Sequence, residues 1–151
     1  MLYHGDTQQQ KRPGILLIHG GAELDDHARE QGRRWAALGY VVLACDTYGD
    51  GVAGDHQRIM NCVRSLRDDP ATLAQRARAG LDVLRNRPDT DGRFAAVGFC
   101  FGGMAALTLA RSGEEIAGAV SIHGSLSTPS PAQPPSTETH GSASRSSASV
   151  A

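Results

Sequence analysis

The fold of this chain is decided by Phe94-Ala-Ala-Val-Gly-Phe-Cys-Phe-Gly-Gly-Met104. Its first six residues form a short apolar run typical of a buried strand, and an apolar helix is predicted after them. Gly98 and Gly102 lie two residues before and after Cys100, which gives a nucleophile-elbow pattern with cysteine in place of serine. The flanking residues must be small because the turn is strained, and the helix N-terminus favours the thiolate.

Cys100 has an ordinary alternative role, since a free cysteine is often a small buried apolar residue. The chain also contains Cys45 and Cys62. The odd number of cysteines argues against a disulfide framework, and the absence of C-x-x-C spacing argues against a zinc site. The strand, turn and helix around Cys100 favour the nucleophile.

Strand-like and helix-like segments alternate along the rest of the chain. The predicted strands are 14–18, 41–45, 94–99 and 117–122. The predicted helices are about 26–38, about 55–67, one that begins at Asp69-Pro70 and continues past Leu84 but ends before Pro88, and about 102–111. This alternation predicts an α/β fold with a mostly parallel sheet flanked by helices. Ligands bind such sheets beyond the carboxyl ends of the strands, where four chemically active side chains lie: His19, Asp46, Cys100 and His123.

A glycine pair, Gly20-Gly21, follows His19 at the end of the first of these strands. Glycines allow backbone N–H groups to approach a substrate oxygen closely, as an oxyanion hole requires. The alternative is an ordinary tight turn. A dinucleotide site is disfavoured because neither glycine cluster has G-x-G-x-x-G spacing, and there is no P-loop lysine.

Length and composition limit the remaining function classes. The 151 residues fit one domain, 40% of them are hydrophobic, and the net charge is −1. No basic patch predicts nucleic-acid binding, and no charge asymmetry predicts a membrane surface. No apolar run approaches the roughly 20 residues of a membrane span, and the first residues do not resemble a signal peptide. We therefore expect a cytoplasmic protein.

The composition changes after Gly124. Residues 125–151 contain nine serines, three threonines and four of the seven prolines. Such a segment buries too little apolar surface to offset its ordering entropy. We predict an incomplete domain over 1–124 and a disordered Ser/Thr/Pro-rich tail over 125–151, with a functional linker or mucin-like segment as the alternative.

The chain resembles the dienelactone hydrolase family of α/β-hydrolases. The similarity rests on the elbow and on residues 19–30, 35–46 and 48–51, and it extends over about 13–126. It implies a partial α/β-hydrolase fold. It also implies a small enzyme that opens lactones or cleaves carboxylic esters with a Cys-His-Asp triad, without a cofactor or a metal.

The resemblance also implies site residues. Cys100 matches the nucleophile, and the backbone N–H groups of Phe101 and Gly21 match the oxyanion hole. The resemblance places Arg58 near the position of an arginine that binds a substrate carboxylate in some members of the family. A solvated helix face, shared with Arg64 and Arg67, is the alternative explanation for Arg58.

Three departures from the family pattern concern catalysis. Gly20 stands where many members have a glutamate. Glu23, three residues on, is expected to cap backbone or face solvent, with an inward position that replaces the glutamate as the alternative. The family's acid and histidine follow the equivalent of His123, where this chain has its tail. The strands that usually precede residue 15 are also expected to be missing. His123 itself is expected to be structural or to line the pocket, so the chain has a nucleophile without an evident base.

Three functional hypotheses follow. The first is an ester or lactone hydrolase, impaired in this chain, whose partner is a small-molecule substrate. The second is a non-catalytic fragment or a partner-dependent binding protein. The third keeps the enzyme class but changes the substrate to a thioester or a peptide-like amide, because a fold does not fix a substrate. The oligomeric state stays open.

Overall fold

The computed structural model describes residues 1–3, 10–49, 51–127 and 148–150. In this part of the chain, strands and helices follow in the order β1 (Leu2–Tyr3), β2 (Arg12–Ile18), α1 (Asp26–Ala37), β3 (Val41–Cys45), α2 (His56–Asp68), α3 (Pro70–Arg85), β4 (Thr90–Phe99), α4 (Phe101–Arg111), β5 (Gly118–Ile122) and β6 (Ala148–Val150).

The strands form one sheet in the order β1-β3-β2-β4-β5-β6. All neighbouring strands from β3 to β6 pair in parallel, and β1 pairs antiparallel with β3. The α/β fold and the four predicted strands are confirmed. The expectation that the strands usually preceding residue 15 are missing is corrected at one point, because Leu2–Tyr3 forms a two-residue edge strand beside β3. Two residues without a long apolar run give no strand signal in the sequence.

Aspartates begin three of the helices. Asp25 accepts the N–H of Ala28 at 2.9 Å, and Asp69 accepts the N–H of Thr72 at 3.0 Å ahead of α3, which has Pro70 in its first turn. Asp55 caps α2 in the same way. These caps satisfy N–H groups that a helix cannot bond itself, and they fix the directions in which the helices leave the loops.

Two apolar layers cover the two faces of the sheet. Leu16 and Ile18 of β2 lie in the larger core with α2, α3 and α4, while Ile15 and Leu17 point to the opposite face. This alternation is the two-residue period of a strand buried on both sides. Helix α1 contacts the opposite face over β1, β2 and β3.

Most of the predicted tail, 128–147 and 151, lies outside the described residues. Within it, residues 148–150 form β6, which pairs in parallel with β5 at positions 119–121. The outer edge of β5 presents backbone N–H and C=O groups that a further strand can pair with. The sequence pattern of the tail contains no signal for this pairing.

Candidate active site

Cys100 occupies the sharp turn between β4 and α4. Its backbone has φ 51° and ψ −114°, an unusual conformation for a residue with a side chain. Its N–H donates to the carbonyl of Ile122 at 2.9 Å, and the residue is exposed. A strained, solvent-accessible cysteine at the carboxyl edge of a parallel sheet is the arrangement that the elbow pattern predicts.

The two flanking glycines allow the turn to close. A Cβ on Gly98 would collide with the backbone of Gly102 and would lie 2.6 Å from the nitrogen of Gly103. A Cβ on Gly102 would collide with the carbonyls of Ile18 and His19. The elbow therefore packs directly on the end of β2, which places Cys100 beside the glycine loop that follows that strand.

The start of α4 supplies backbone donors next to the thiol. The N–H groups of Gly103 and Met104 donate to the carbonyl of Cys100, at 3.1 and 3.3 Å. The N–H of Phe101 belongs to the first turn, where a helix provides no partner for its amides. This amide can therefore bond an anionic oxygen at the cysteine.

A cavity of about 560 Å³ opens beside Cys100. Phe101 and Gly21 also line it, so the residues predicted for the nucleophile and the oxyanion hole share one cavity. Apolar side chains of α2 and α4 supply one wall: Ile59, Met60, Val63 and Met104. This combination of an apolar wall and a few polar groups is typical of a small-molecule site.

A buried hydrogen-bond network holds the glycine loop. His19 is fully buried, and its Nε2 accepts the N–H of Thr47 at 3.1 Å. Its Nδ1 lies 2.7 Å from the carbonyl oxygen of Gly20. The hydroxyl of Tyr48 donates to the carbonyls of Gly20 and Gly21, at 3.3 and 3.2 Å. The loop after β2 is therefore fixed by side chains from two strand ends.

Asp46 organises the turn after β3. Its Oδ1 accepts the N–H groups of Tyr48 at 2.8 Å and Gly49 at 3.3 Å, and it lies 3.4 Å from Nε2 of His19. Arg76 of α3 donates to the carbonyls of Thr47 and Tyr48. These contacts give Asp46 a structural role in the turn.

Two buried groups in this region have raised pKa values. Burial raises the pKa of the Cys45 thiol to about 11, and the nearby Asp46 carboxylate adds to the effect. Burial also raises the pKa of the Tyr48 hydroxyl, with further contributions from Cys62, Cys100 and Asp46. Both groups therefore stay protonated at neutral pH.

The arginine that lines the cavity is Arg67, and the sequence prediction concerned Arg58. Arg58 does not line the cavity; its guanidinium bonds the carbonyl of Gly51 at 3.1 Å and lies 3.2 Å from Asp55. Arg67, the penultimate residue of the same helix, lines the cavity. The sequence could not separate these arginines, because several lie on a single helix and the phase of the helix decides which faces inward.

The histidines are distributed differently from the family pattern. His56 begins α2 and lines the cavity with Cys100. The sequence predicts a surface or helix-start position for His56, and the structure places it at the start of α2. Its place after a glycine-rich loop is the signal in the sequence that points to the cavity. His123 is exposed with φ 44°, and its ring lies 6.2 Å from that of Phe99. His4 and His140 lie outside the described residues.

Glu23 bonds the backbone of a loop that lines the cavity. Its carboxylate accepts the N–H of Gly54 at 2.9 Å, and Gly54 lines the cavity. Glu23 thus caps a loop amide, which is one of the two roles expected from the sequence. Across the described residues, no three His, Cys, Asp or Glu side chains are grouped so as to hold a metal ion. No helix there is long and apolar enough to cross a membrane.

The parallel sheet, the strained elbow at a strand end and the adjacent glycine loop together define an α/β-hydrolase fold. The family model of the dienelactone hydrolase family matches residues 2–144, and the chain belongs to that family. No curated protein sequence matches the chain significantly.

Solved structures agree with this assignment. A structure named m3DLH is 42% identical with a TM-score of 0.79, over 86% of this chain and 55% of that one. A dienelactone hydrolase-like promiscuous phosphotriesterase from metagenomic libraries is 37% identical with a TM-score of 0.77, over 82% of this chain and 52% of that one. An acylaminoacyl peptidase of Pyrococcus horikoshii, 19% identical with a TM-score of 0.59 over 81% of this chain and 20% of that one, shares the fold alone. The chain spans about half the length of the first two structures.

Proposed function

We propose that the chain carries the acylation half of a carboxylic ester or lactone hydrolase, with Cys100 as the nucleophile. The observation that carries this proposal is the exposed Cys100 in its strained turn, sharing one cavity with Phe101 and Gly21. The residue two positions before it and the residue two positions after it admit no side chain, so the turn is built around this position.

The reaction follows from the chemistry of a thiolate. The Sγ of Cys100 attacks the carbonyl carbon, and the carbonyl oxygen becomes an anion bound by the N–H groups of Phe101 and Gly21. The C–O bond of the ester then breaks. The alkoxide takes a proton from water and leaves as an alcohol, or stays attached as a hydroxyl when the substrate is a lactone. Water finally hydrolyses the thioester, which releases the acid and restores the thiol.

The second half of this cycle is proposed to be slow. Hydrolysis of the thioester needs a base that activates water, held in place by an acid. His19 is buried and bonded to the turn, and His123 is not among the residues that line the cavity. His56 lines it, but within the described residues no hydrogen bond or ion pair joins it to Cys100. We expect acylation of Cys100 with little turnover.

The cavity favours Arg67 over Arg58 for a carboxylate on the substrate. Arg67 lines the cavity, and no ion pair or hydrogen bond holds its side chain within the described residues. Arg58 is engaged by Asp55 and Gly51. The proposal therefore moves the substrate-binding role predicted for Arg58 to Arg67.

The cytoplasmic location stays a prediction from the sequence.

The test is a burst experiment with 4-nitrophenyl acetate. We expect release of one equivalent of nitrophenol per chain, little release afterwards, and an acetyl adduct on Cys100 by peptide mass spectrometry. Cys100→Ala should remove both the burst and the adduct, while Cys62→Ser should keep them. An acetyl group found on another residue would contradict the assignment, and sustained turnover would contradict the expected impairment.

A second candidate function is that of a non-catalytic, partner-dependent protein. Val120 and Ile122 of β5 are partly exposed. They lie on the same sheet face as α1, but α1 covers that face only over β1, β2 and β3. Exposed apolar surface on a sheet attracts a partner or causes aggregation. Light scattering on the purified chain separates the cases: a monomer without aggregates argues against partner dependence, and a defined oligomer supports it.

A further inference from the structure

The Gly20–Gly21 peptide group is held from one side. Its carbonyl oxygen lies 2.7 Å from Nδ1 of His19 and 3.3 Å from the Tyr48 hydroxyl. The peptide bond is trans, so the N–H of Gly21 points opposite to the carbonyl of Gly20 within one plane. Contacts that fix the carbonyl therefore also fix the direction of the Gly21 N–H, which is the second donor of the proposed oxyanion hole.

The donors in this arrangement can be assigned. The N–H of Thr47 can only donate, so Nε2 of His19 is the acceptor, and in the neutral ring Nδ1 carries the proton that bonds the Gly20 carbonyl. The two carbonyls can only accept, so the Tyr48 hydroxyl is a donor shared between them. Its raised pKa keeps that proton in place at neutral and mildly alkaline pH.

Tyr48 also contacts the other arm of the site. It is 5% exposed, its ring packs edge-on against His19 with centroids 4.6 Å apart, and it lies 5.7 Å from the ring of Phe101. Arg76 bonds the backbone carbonyl of Tyr48 from α3. One rigid side chain therefore touches the residues that provide both proposed oxyanion donors.

We infer that Tyr48 is a positioning residue, which with His19 orients the Gly20–Gly21 peptide so that the Gly21 N–H faces the oxyanion formed at Cys100. This inference rests on the proposed function, because an oxyanion forms only if Cys100 is acylated. Tyr48 itself touches no reacting atom, and its hydroxyl acts through the backbone of the loop.

The experiment compares Tyr48→Phe with Tyr40→Phe. Tyr48→Phe keeps the ring and its packing and removes only the hydroxyl, and Tyr40 is a partly buried tyrosine at the opposite end of the fold from this loop's hydrogen bonds. Two reagents probe Cys100 in each variant. Acetylation by 4-nitrophenyl acetate passes through an oxyanion, whereas alkylation by iodoacetamide needs only an accessible thiolate.

We expect Tyr48→Phe to slow acetylation about tenfold, less than the ~100- to 1000-fold lost with a complete oxyanion donor, because His19 still holds the Gly20 carbonyl. Alkylation should keep the parent rate, and Tyr40→Phe should leave both rates unchanged. A loss of both reactions in parallel, or no loss of acetylation, would overturn the positioning role.

A second readout separates this inference from the proposed function. If the parent chain is not acetylated at all, the proposed function fails, and the geometry of the loop is measured directly by ¹H–¹⁵N spectroscopy. Tyr48→Phe should shift or broaden the Gly21 amide signal, and Tyr40→Phe should not. An unchanged Gly21 signal in Tyr48→Phe would overturn the inference whatever the outcome with the ester.

Discussion

Gly98 offers a sharp test of the elbow, because adding one methyl group there should destabilise the whole domain. In Gly98→Ala the new Cβ would collide with the Gly102 backbone and lie 2.6 Å from the nitrogen of Gly103. Both neighbours belong to the backbone of the turn and the first turn of α4, so neither can rotate away. Either the turn opens or α4 moves from its place against β4 and β5.

The size of the effect follows from overpacking. Extra methyl groups in a tightly packed region cost about 1–3 kcal/mol, and backbone neighbours place Gly98→Ala at the upper end, about 3 kcal/mol. With a urea m-value of about 2 kcal/mol/M for a chain of this size, the midpoint of unfolding should fall by about 1.5 M. A folding free energy of about 5–15 kcal/mol allows the variant to remain folded without urea.

The assay is urea unfolding followed by circular dichroism, with Gly21→Ala as the matched control. Nothing lies within 4 Å of a Cβ built on Gly21, so that variant should stay within about 0.5 kcal/mol of the parent. Gly98→Ala should also lose the burst with 4-nitrophenyl acetate, because an opened turn no longer presents Cys100. A midpoint equal to the parent's, or an equal loss in Gly21→Ala, would refute the steric account.

Two further predictions concern charge. The pKa of the Cys45 thiol, raised by burial and by Asp46 from 9.0 to about 11, means that the unfolded chain loses this proton first as the pH rises. The contribution of Cys45 to the free energy of unfolding is therefore constant below about pH 9 and falls by up to ~3 kcal/mol towards pH 11. The check is the urea midpoint between about pH 8 and pH 11, which should fall less steeply in Cys45→Ala than in the parent or in Cys62→Ser. Arg67→Met should slow acylation by an ester that carries a carboxylate about tenfold, but not by a neutral ester, as expected for one lost ion pair in a partly open site. Arg58→Met should change neither rate, and equal effects of the two arginine variants would indicate a general charge effect.

The fold could be predicted from local patterns because each pattern has one physical cause. Gly14 to Ile18 and Val41 to Cys45 are apolar runs of five residues, too short for a buried helix, and a strand covered on both faces buries most of such a run. Asp69-Pro70 predicts the start of α3 to the residue, since the carboxylate caps it and proline fits the first turn. The two edge strands carry no such signal, because two or three residues gain their stability from the neighbouring strand.

The site could be predicted in part. Gly98 and Gly102 mark the elbow, because the constraint on them comes from backbone only a few residues away along the chain. Arg67 could not be chosen over Arg58 and Arg64, since the orientation of α2 about its own axis decides which of these side chains faces the cavity. The role of Tyr48 depends on contacts with a loop 27 and 28 residues away, and no spacing in the sequence encodes them.

The positive φ angle of Cys100 lowers the stability of the fold at the same position that supplies the reactive thiol. A side chain in such a conformation costs on the order of 1–3 kcal/mol, and glycine would relieve that cost. Selection for persistence alone would therefore favour glycine at residue 100, whereas the thiol is retained only where its reactivity is of use to the cell. In a lineage that no longer needed the reaction, residue 100 would be among the first positions to change. The increase in melting temperature of Cys100→Gly over the parent measures the stability that the fold loses by having a cysteine there.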